Sequence, residues 1–559
     1  MRVLLVEPNY KNKYPPMGLM KISTYHKMLN DEVRFVKGTD PRVDAEVWDR
    51  IYVTTLFTFD FDIVVETINH YMSLANNVDT IYIGGIMSSL MPDKLVEATG
   101  IERSHILTGL FTDTSVVGDN NAINVDELPL DYDILEDISY KYPAGDNYFA
   151  YTTRGCPNHC PFCAVPILEP QFHVTNNIVE QIRAIDAKYG PKQNLLLLDN
   201  NVLNTPNLSA LVDDLCAAGF GRGAKYDDPG VFRIVMMRYH NGDRAEFLDK
   251  KLMTYLEAFK KRIKSAEMLD TFLEIVIGAE DAGNYAAYML EHEEQLTPII
   301  EKYRNKTKKA RYLDFNQGVD GRKINDENMT QLARLAIKPL RIAFDDIKLA
   351  EKYSAAVRTA HRHGIKEISN YMLFNFKDKP EDLYERLKIN IELNQELGIQ
   401  IFSFPMKYSP IDRTDRSYIG EYWTKKQIRA ISAILQVTKG VVAAGSDFFY
   451  KAFGSTIEEY FEILAMPREL IMFRSYFEGN GTTQQWSSLY KKLTSDQKRK
   501  LLSITSNTIT ELKNIPWPED LKEILPFYLI KYTGSANQST GSGEQLSLLD
   551  DGDTFFGDE

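Results

Sequence analysis

Three of the four cysteines in this chain, Cys156, Cys160 and Cys163, lie within eight residues. They form a C-x3-C-x2-C pattern in the run Thr153-Arg154-Gly155-Cys156-Pro157-Asn158-His159-Cys160-Pro161-Phe162-Cys163. Three thiolates on one loop can face one centre, and they match an iron–sulfur cluster, in which each iron takes four soft ligands. Three protein ligands leave the fourth iron of a 4Fe–4S cluster open, an arrangement suited to catalysis rather than to electron carriage alone. The competing arrangement is a zinc site with His159 or His173 as fourth ligand. Structural zinc sites usually come as two spaced pairs, and the chain has no second pair. The remaining thiol, Cys216, stands in a helical context and reads as a buried structural residue.

The cysteine loop follows an apolar run at 148–152. Five more strand-like segments follow at 195–198, 312–315, 340–344, 369–374 and 399–404, most of them separated by helical stretches such as 178–188 and 350–363. The fold class expected is α/β. Residues 147–412 are expected to form a partial (β/α)6 barrel. The long interval 220–309 carries helical patterns at 245–265 and 286–303 and reads as a helical insertion. Ahead of it, residues 1–125 alternate strands (3–6, 33–36, 51–55, 80–83) with helical segments, the pattern of a doubly wound parallel sheet. Gly84-Gly85 marks a tight strand-to-helix turn. Residues 126–146 form a connector, and 413–533 a C-terminal helical domain. Residues 534–559 have six acids and no base, and read as a disordered acidic tail.

Composition narrows the function classes. The chain has 559 residues, 44% of them hydrophobic, and a net charge of -13. Four cysteines cannot staple a secreted scaffold of this length. No apolar run approaches the ~18 residues of a spanning helix, and the N-terminus reads as a buried strand and not as a signal peptide, so a cytoplasmic protein with no membrane partner is expected. The negative charge argues against wholesale attraction to nucleic acid. The tail alone supplies -6, however, and leaves the body at only -7.

With Phe162 directly before Cys163, the motif resembles the signature of the radical S-adenosylmethionine (radical SAM) superfamily, and the resemblance extends over 148–412. It implies that Cys156, Cys160 and Cys163 hold a 4Fe–4S cluster whose open iron is chelated by S-adenosylmethionine. One electron, from a flavodoxin- or ferredoxin-type reductant, would then cleave the sulfonium to methionine and a 5′-deoxyadenosyl radical, which abstracts hydrogen from a substrate the sequence does not name. The cofactor does the hard chemistry, and the protein orients and shields it. Ligands of β/α barrels meet the C-terminal ends of strands. The candidates for cofactor binding there are Phe162, Asp199, Asn200 and Asn201, Arg322, Asp345 and Asn375. By resemblance the Asp199-Asn200-Asn201 run takes the cofactor's amino group, and Arg322 suits a carboxylate.

The α/β domain ahead of the barrel resembles the subgroup with an N-terminal cobalamin-binding domain. Tyr14-Pro15-Pro16-Met17-Gly18-Leu19 and Gly84-Gly85-Ile86 match two of its landmarks. The D-x-H-x-x-G element whose histidine ligates cobalt is absent, and no histidine precedes His26. No cysteine precedes Cys156, so the second cluster of the methylthiotransferases has no ligands.

The basic runs Lys250-Lys251, 260–264 and 302–311 suit a nucleic-acid backbone, but interleaved acids favour a solvated helix face. The tail run Gln545-Leu546-Ser547-Leu548-Leu549-Asp550 resembles the peptide that docks bacterial replication and repair proteins on the sliding clamp, with Leu549 where phenylalanine is usual. Two functions follow: a radical SAM enzyme, or a nucleic-acid-associated accessory protein with a structural or redox-sensing cluster that docks to a clamp through its tail.

Overall fold

The computed structural model describes residues 1–74, 80–175 and 178–532. The clamp-like run 545–550 lies outside the described residues. Four strands open the chain: β1 (Arg2–Glu7), β2 (Glu32–Lys37), β3 (Arg50–Thr55) and β4 (Ile81–Gly85). They form an all-parallel sheet in the order β2-β1-β3-β4. Alternate side chains go to opposite faces, as the strand period of two dictates. Val3, Leu5, Phe35 and Tyr52 share a core with the helix Met17–Met28, while Leu4, Val6, Ile51 and Val53 share another with the helix Phe61–Leu74. Both faces are covered, which is why these parallel strands read as continuous apolar runs. β4 ends on Gly85 at φ +111°, where a Cβ would sit 2.2 Å from the Thr55 carbonyl oxygen, so the turn admits only glycine.

The stretch expected as a connector is a packed strap. Its short turns bury Val125, Leu130, Tyr132 and Ile134 in the core beneath the sheet.

The strands that follow are β5 (Tyr148–Ala150), β6 (Thr153–Arg154), β7 (His173–Val174), β8 (Leu195–Leu197), β9 (Lys225–Tyr226), β10 (Lys309–Ala310), β11 (Leu313–Phe315), β12 (Leu340–Arg341), β13 (Glu367–Phe374) and β14 (Gln400–Lys407). β5, β8 and β11 form one parallel sheet and β12, β13 and β14 another. A parallel bridge from Val319 to Ile342 joins them, so six parallel strands follow one another in chain order. All six strand segments expected from the sequence fall on them. The antiparallel pair β6–β7 closes the base of the loop 155–172 that carries the cysteines.

β9 and β10 pair antiparallel, so the insertion leaves and re-enters side by side. Its helices enclose a core of their own, with Phe232, Leu252, Phe272 and Leu296 at its centre. The pattern at 245–265 is not one helix. The helix Glu246–Phe259 ends in a turn at Lys260–Arg262, and Ser265 then caps a further helix, Ala266–Asp281, by accepting from the Met268 N–H. After β14 the chain is helical from Lys425–Val437 to the last turn, Leu525–Leu529. Ile431, Phe449, Tyr460 and Trp486 of this region join the same core as the six strands. Among the described residues no helix is long and apolar enough to cross a membrane.

Candidate functional site

The cysteine loop begins where β5 ends. Asp199, just past β8, holds that end in place. Its Oδ1 accepts from the Thr152 N–H at 2.9 Å, the Thr152 hydroxyl at 2.6 Å, the Thr153 hydroxyl at 2.7 Å and the Thr153 N–H. Burial pushes the Asp199 carboxyl up, and these donors pull it back. Gly155 follows at φ +71°, where a Cβ would lie 2.4 Å from the Gln171 carbonyl oxygen. The Gly155 N–H donates to Glu169 Oε2 at 2.7 Å, and Asn200 Nδ2 donates to the same oxygen at 2.9 Å. Arg154, buried over the Tyr151 ring, donates to Glu169 Oε1 and to Asp126, which also takes Lys21. These two cations and two carboxylates tie the root of the loop to the strap and to the first helix of the chain.

The thiols of Cys156, Cys160 and Cys163 are half-buried and free of disulfides. The Cys163 N–H donates to the Cys160 carbonyl at 3.0 Å, closing a turn between them. Cys156 Sγ accepts from the Asn158 N–H and from Asn201 Nδ2, each at 3.5 Å. Burial pushes the Cys160 thiol up, the Arg322 charge draws it down, and Cys163, Cys156 and Asp345 raise it further. Cys163 is raised mainly by burial and also feels Asp345. Asn201, past the end of β8, thus touches Cys156, and the charges of Arg322, past β11, and Asp345, past β12, act on the thiols. Phe162 reaches the turn after β13: its ring stands edge-on to Phe376 at 5.8 Å, and Phe376 packs on Tyr408 beyond β14. Among the described residues, Asp199 Oδ2, Asn201 Oδ1 and Asn204 Nδ2, all just past β8, are buried without a hydrogen-bond partner.

The sequence candidates thus divide. Cys156, Cys160, Cys163, Phe162, Asn201, Arg322 and Asp345 come together. Asn200 turns away to Glu169. Asp199 has one oxygen spent on Thr152 and Thr153. Asn375, fully buried at φ +69°, donates to the carbonyls of Tyr408 and Tyr418 and accepts from the Gly420 N–H, so all its side-chain groups serve the fold. The Arg322 fork is also engaged: Nε and Nη2 each bind Asp320 at 2.7 Å, and Asp320 takes Asn158 of the cysteine loop at 3.1 Å. Sequence reasoning assigned no role to Asp320, Asn158 or Glu169. Asp320 had a local signal, since an aspartate two residues before its partner commonly forms an Asx turn.

Among the described residues no three Cys, His, Asp or Glu side chains converge at single-ion distance. A cubane cluster binds each thiolate to a different iron, so its ligands need not converge on a point. The donor set fits such a cluster. It offers three unpaired soft thiols, two N–H groups aimed at one sulfur, and, among the described residues, unpartnered buried polar atoms just past β8.

Beside the loop opens a cleft of about 2760 Å³, lined by the ends of β1, β3, β4 and β14, by the loop flanks Arg154, Leu168 and Glu169, and by the helix Lys425–Val437. Among the described residues neither a cysteine nor a histidine lines it. His26 is buried between Asp31 and Tyr52, so the residues present do not fit cobalt ligation by a histidine of this unit.

No family model matches the chain. It is 24% identical over 222 residues to an uncharacterized methyltransferase of Synechocystis sp., covering 36% of this chain and 39% of that protein. The chain thus spans well under half the length of that relative. Among solved structures it is similar to the cobalamin-dependent S-adenosylmethionine radical enzyme OxsB in its apo form, at 12% identity and a TM-score of 0.37, covering 92% of this chain and 71% of that one.

Proposed function

We propose that the protein is a radical SAM enzyme, with the six parallel strands as its partial barrel and Cys156, Cys160 and Cys163 as the ligands of a 4Fe–4S cluster. The observation that carries the reading is the Asn201 bond to Cys156 from the end of β8, on a loop whose thiols also feel the charges of Arg322 and Asp345. A cluster that only braced the fold would need no such polar surround. When bound, the cluster supplies one electron to S-adenosylmethionine and so yields a 5′-deoxyadenosyl radical. The residues of the chain do the rest. Asn201 and the Asn158 N–H hold Cys156, Glu169 orients the loop root, and Phe162 with Phe376 screens the loop from water.

The likeness to a protein named as a methyltransferase supports an enzyme and makes methyl transfer the second reading of the reaction. The N-terminal unit reads as a cobalamin-binding-like domain, and no step is derived through cobalamin. The domain limits read from the sequence, a cytoplasmic location and a flavodoxin- or ferredoxin-type reductant belong to the same proposal.

The test is anaerobic reconstitution with iron and sulfide, reduction with dithionite, and assay of S-adenosylmethionine cleavage. The enzyme is expected to release 5′-deoxyadenosine and methionine, and Cys160→Ala to lose both the cluster absorption and the cleavage. A fully reconstituted protein that cleaves nothing overturns the reading.

A further inference from the structure

Asp320, in the turn after β11, spends its whole carboxylate on two residues. Oδ1 accepts from the Arg322 N–H at 3.1 Å and from Arg322 Nε at 2.7 Å. Oδ2 accepts from Arg322 Nη2 at 2.7 Å and from Asn158 Nδ2 at 3.1 Å. A carboxylate offers about four such positions, so none is left for a ligand. Burial pushes the Asp320 carboxyl up, but Arg322 and Asn158 more than reverse this and hold it as an anion below its ordinary range.

The pairing with Arg322 is not in itself a site. Asp40 takes the N–H, Nε and Nη2 of Arg42 at the same spacing, with the Arg42 side chain 75% exposed on the surface. An aspartate that opens a turn accepts from the backbone two residues on wherever it stands. What sets Asp320 apart is its fourth bond, to a residue 162 positions away in the cysteine loop. Asn158 gives its backbone N–H to Cys156 Sγ at 3.5 Å, so Asp320 stands two hydrogen bonds from that sulfur. It holds the loop from the end of β11, as Asp199 and Asn201 do from the end of β8.

The charge of the pair bears on the same thiols. The Arg322 guanidinium acts on Cys160 and Cys156, and among the described residues Asp320 is its one ion-pair partner. Without Asp320 a full positive charge would act there, and without Arg322 a full negative one. The potential of an iron–sulfur cluster follows the local net charge, because reduction makes the cluster more negative.

We propose that Asp320 is a positioning residue, which fixes the cysteine loop through Asn158 and cancels the Arg322 charge that acts on its thiols. The inference rests on the reading of the three cysteines as cluster ligands.

Two measurements on the full chain test it. The first needs no cluster and follows hydrogen exchange of the backbone amides of 155–163. Asn158→Ala and Asp320→Ala should exchange about 10-fold faster than wild type, the effect of losing one bond to a charged group. Arg322→Gln, which leaves the Asn158 bond in place, should exchange at the wild-type rate. The second is the midpoint potential of the reconstituted cluster, titrated with dithionite in the absence of S-adenosylmethionine and followed by electron paramagnetic resonance. One electron enters the cluster, and no bond is made or broken. Asp320→Asn should move the midpoint up and Arg322→Gln should move it down. The double variant, neutral again, should return to the wild-type value. Both shifts should shrink at 1 M salt, where the screening length is about 3 Å, because Arg322 is 40% exposed. Shifts of one sign in both single variants, or none, overturn the charge role, and unchanged exchange in Asn158→Ala overturns the tether. Either result leaves the cysteine ligands standing. A wild-type chain that takes up no cluster overturns the reading of the loop and this inference with it.

Discussion

Asn201 donates its side-chain amide to the sulfur of Cys156 across 3.5 Å and so joins the end of β8 to the loop after β5. Among the described residues the Asn201 side-chain oxygen has no partner, so Cys156 is there the one side-chain hydrogen-bond partner of Asn201. Outer groups that orient a metal ligand typically matter about 10- to 100-fold in metal affinity or activity. Asn201→Ala is therefore expected to fold normally yet lose S-adenosylmethionine cleavage by about that factor, with cluster content followed by iron analysis and electron paramagnetic resonance. A variant with wild-type cluster content and wild-type cleavage would show that this bond is incidental.

Gly155 offers a sharper test of the loop. A left-handed residue with a Cβ costs about 1–2 kcal/mol in itself. Here the new atom would also press on the Gln171 carbonyl at 2.4 Å. Gly155→Ala should leave the far-UV circular dichroism intact, because the strands lie outside the loop. The cluster absorption after reconstitution should be lost or much reduced. Normal reconstitution of this variant would mean that the loop tolerates a shift of its root.

How far the sequence speaks depends on whether a feature is local. The strand segments were legible because each is a short apolar run, as in Leu195–Leu197. The cysteine loop was legible because its three ligands lie within eight residues. The division among the polar strand ends was not. Asn375 finds its partners at Tyr408, Tyr418 and Gly420, more than thirty residues away, and takes a left-handed backbone that no neighbouring residue announces. Asp199 looks like an open carboxylate until the fold brings Thr152 and Thr153 onto it. Arg322 looks like a free clamp until the turn at Asp320 closes on it. The strap 125–138 looked like a linker because its apolar residues follow no helical or strand period.

Asn375 can be separated from a ligand role by stability. Asn375→Ala removes a buried acceptor and two donors and keeps the strained backbone. Each orphaned group costs about 1–3 kcal/mol. Asn375→Gly loses the same bonds but relieves the left-handed strain, so it should be more stable than the alanine variant by about 1 kcal/mol. Urea denaturation of the two variants beside wild type measures both steps. Wild-type stability in both, with impaired cofactor cleavage, would instead make Asn375 a cofactor contact.

The C-terminal helices carry a pH dependence of their own. Lys426 is 5% exposed and donates to the carbonyls of Leu464 at 3.0 Å and Met466 at 2.6 Å. Burial, with a smaller repulsion from Arg429, lowers its pKa from 10.5 to about 7. Between those values the unfolded chain holds a proton that the folded chain lacks. Folding is therefore disfavoured as pH falls toward 7, and stability attributable to this group rises with pH across the window. The slope is at most about 1.4 kcal/mol per pH unit. Lys426→Met removes the titrating group and leaves the two carbonyls without their donor. The difference in unfolding free energy between wild type and variant should then widen from pH 7 to pH 9 and stay flat below pH 7. Parallel curves for the two proteins across that range would show that Lys426 keeps its proton in the folded state, held by the carbonyls of Leu464 and Met466.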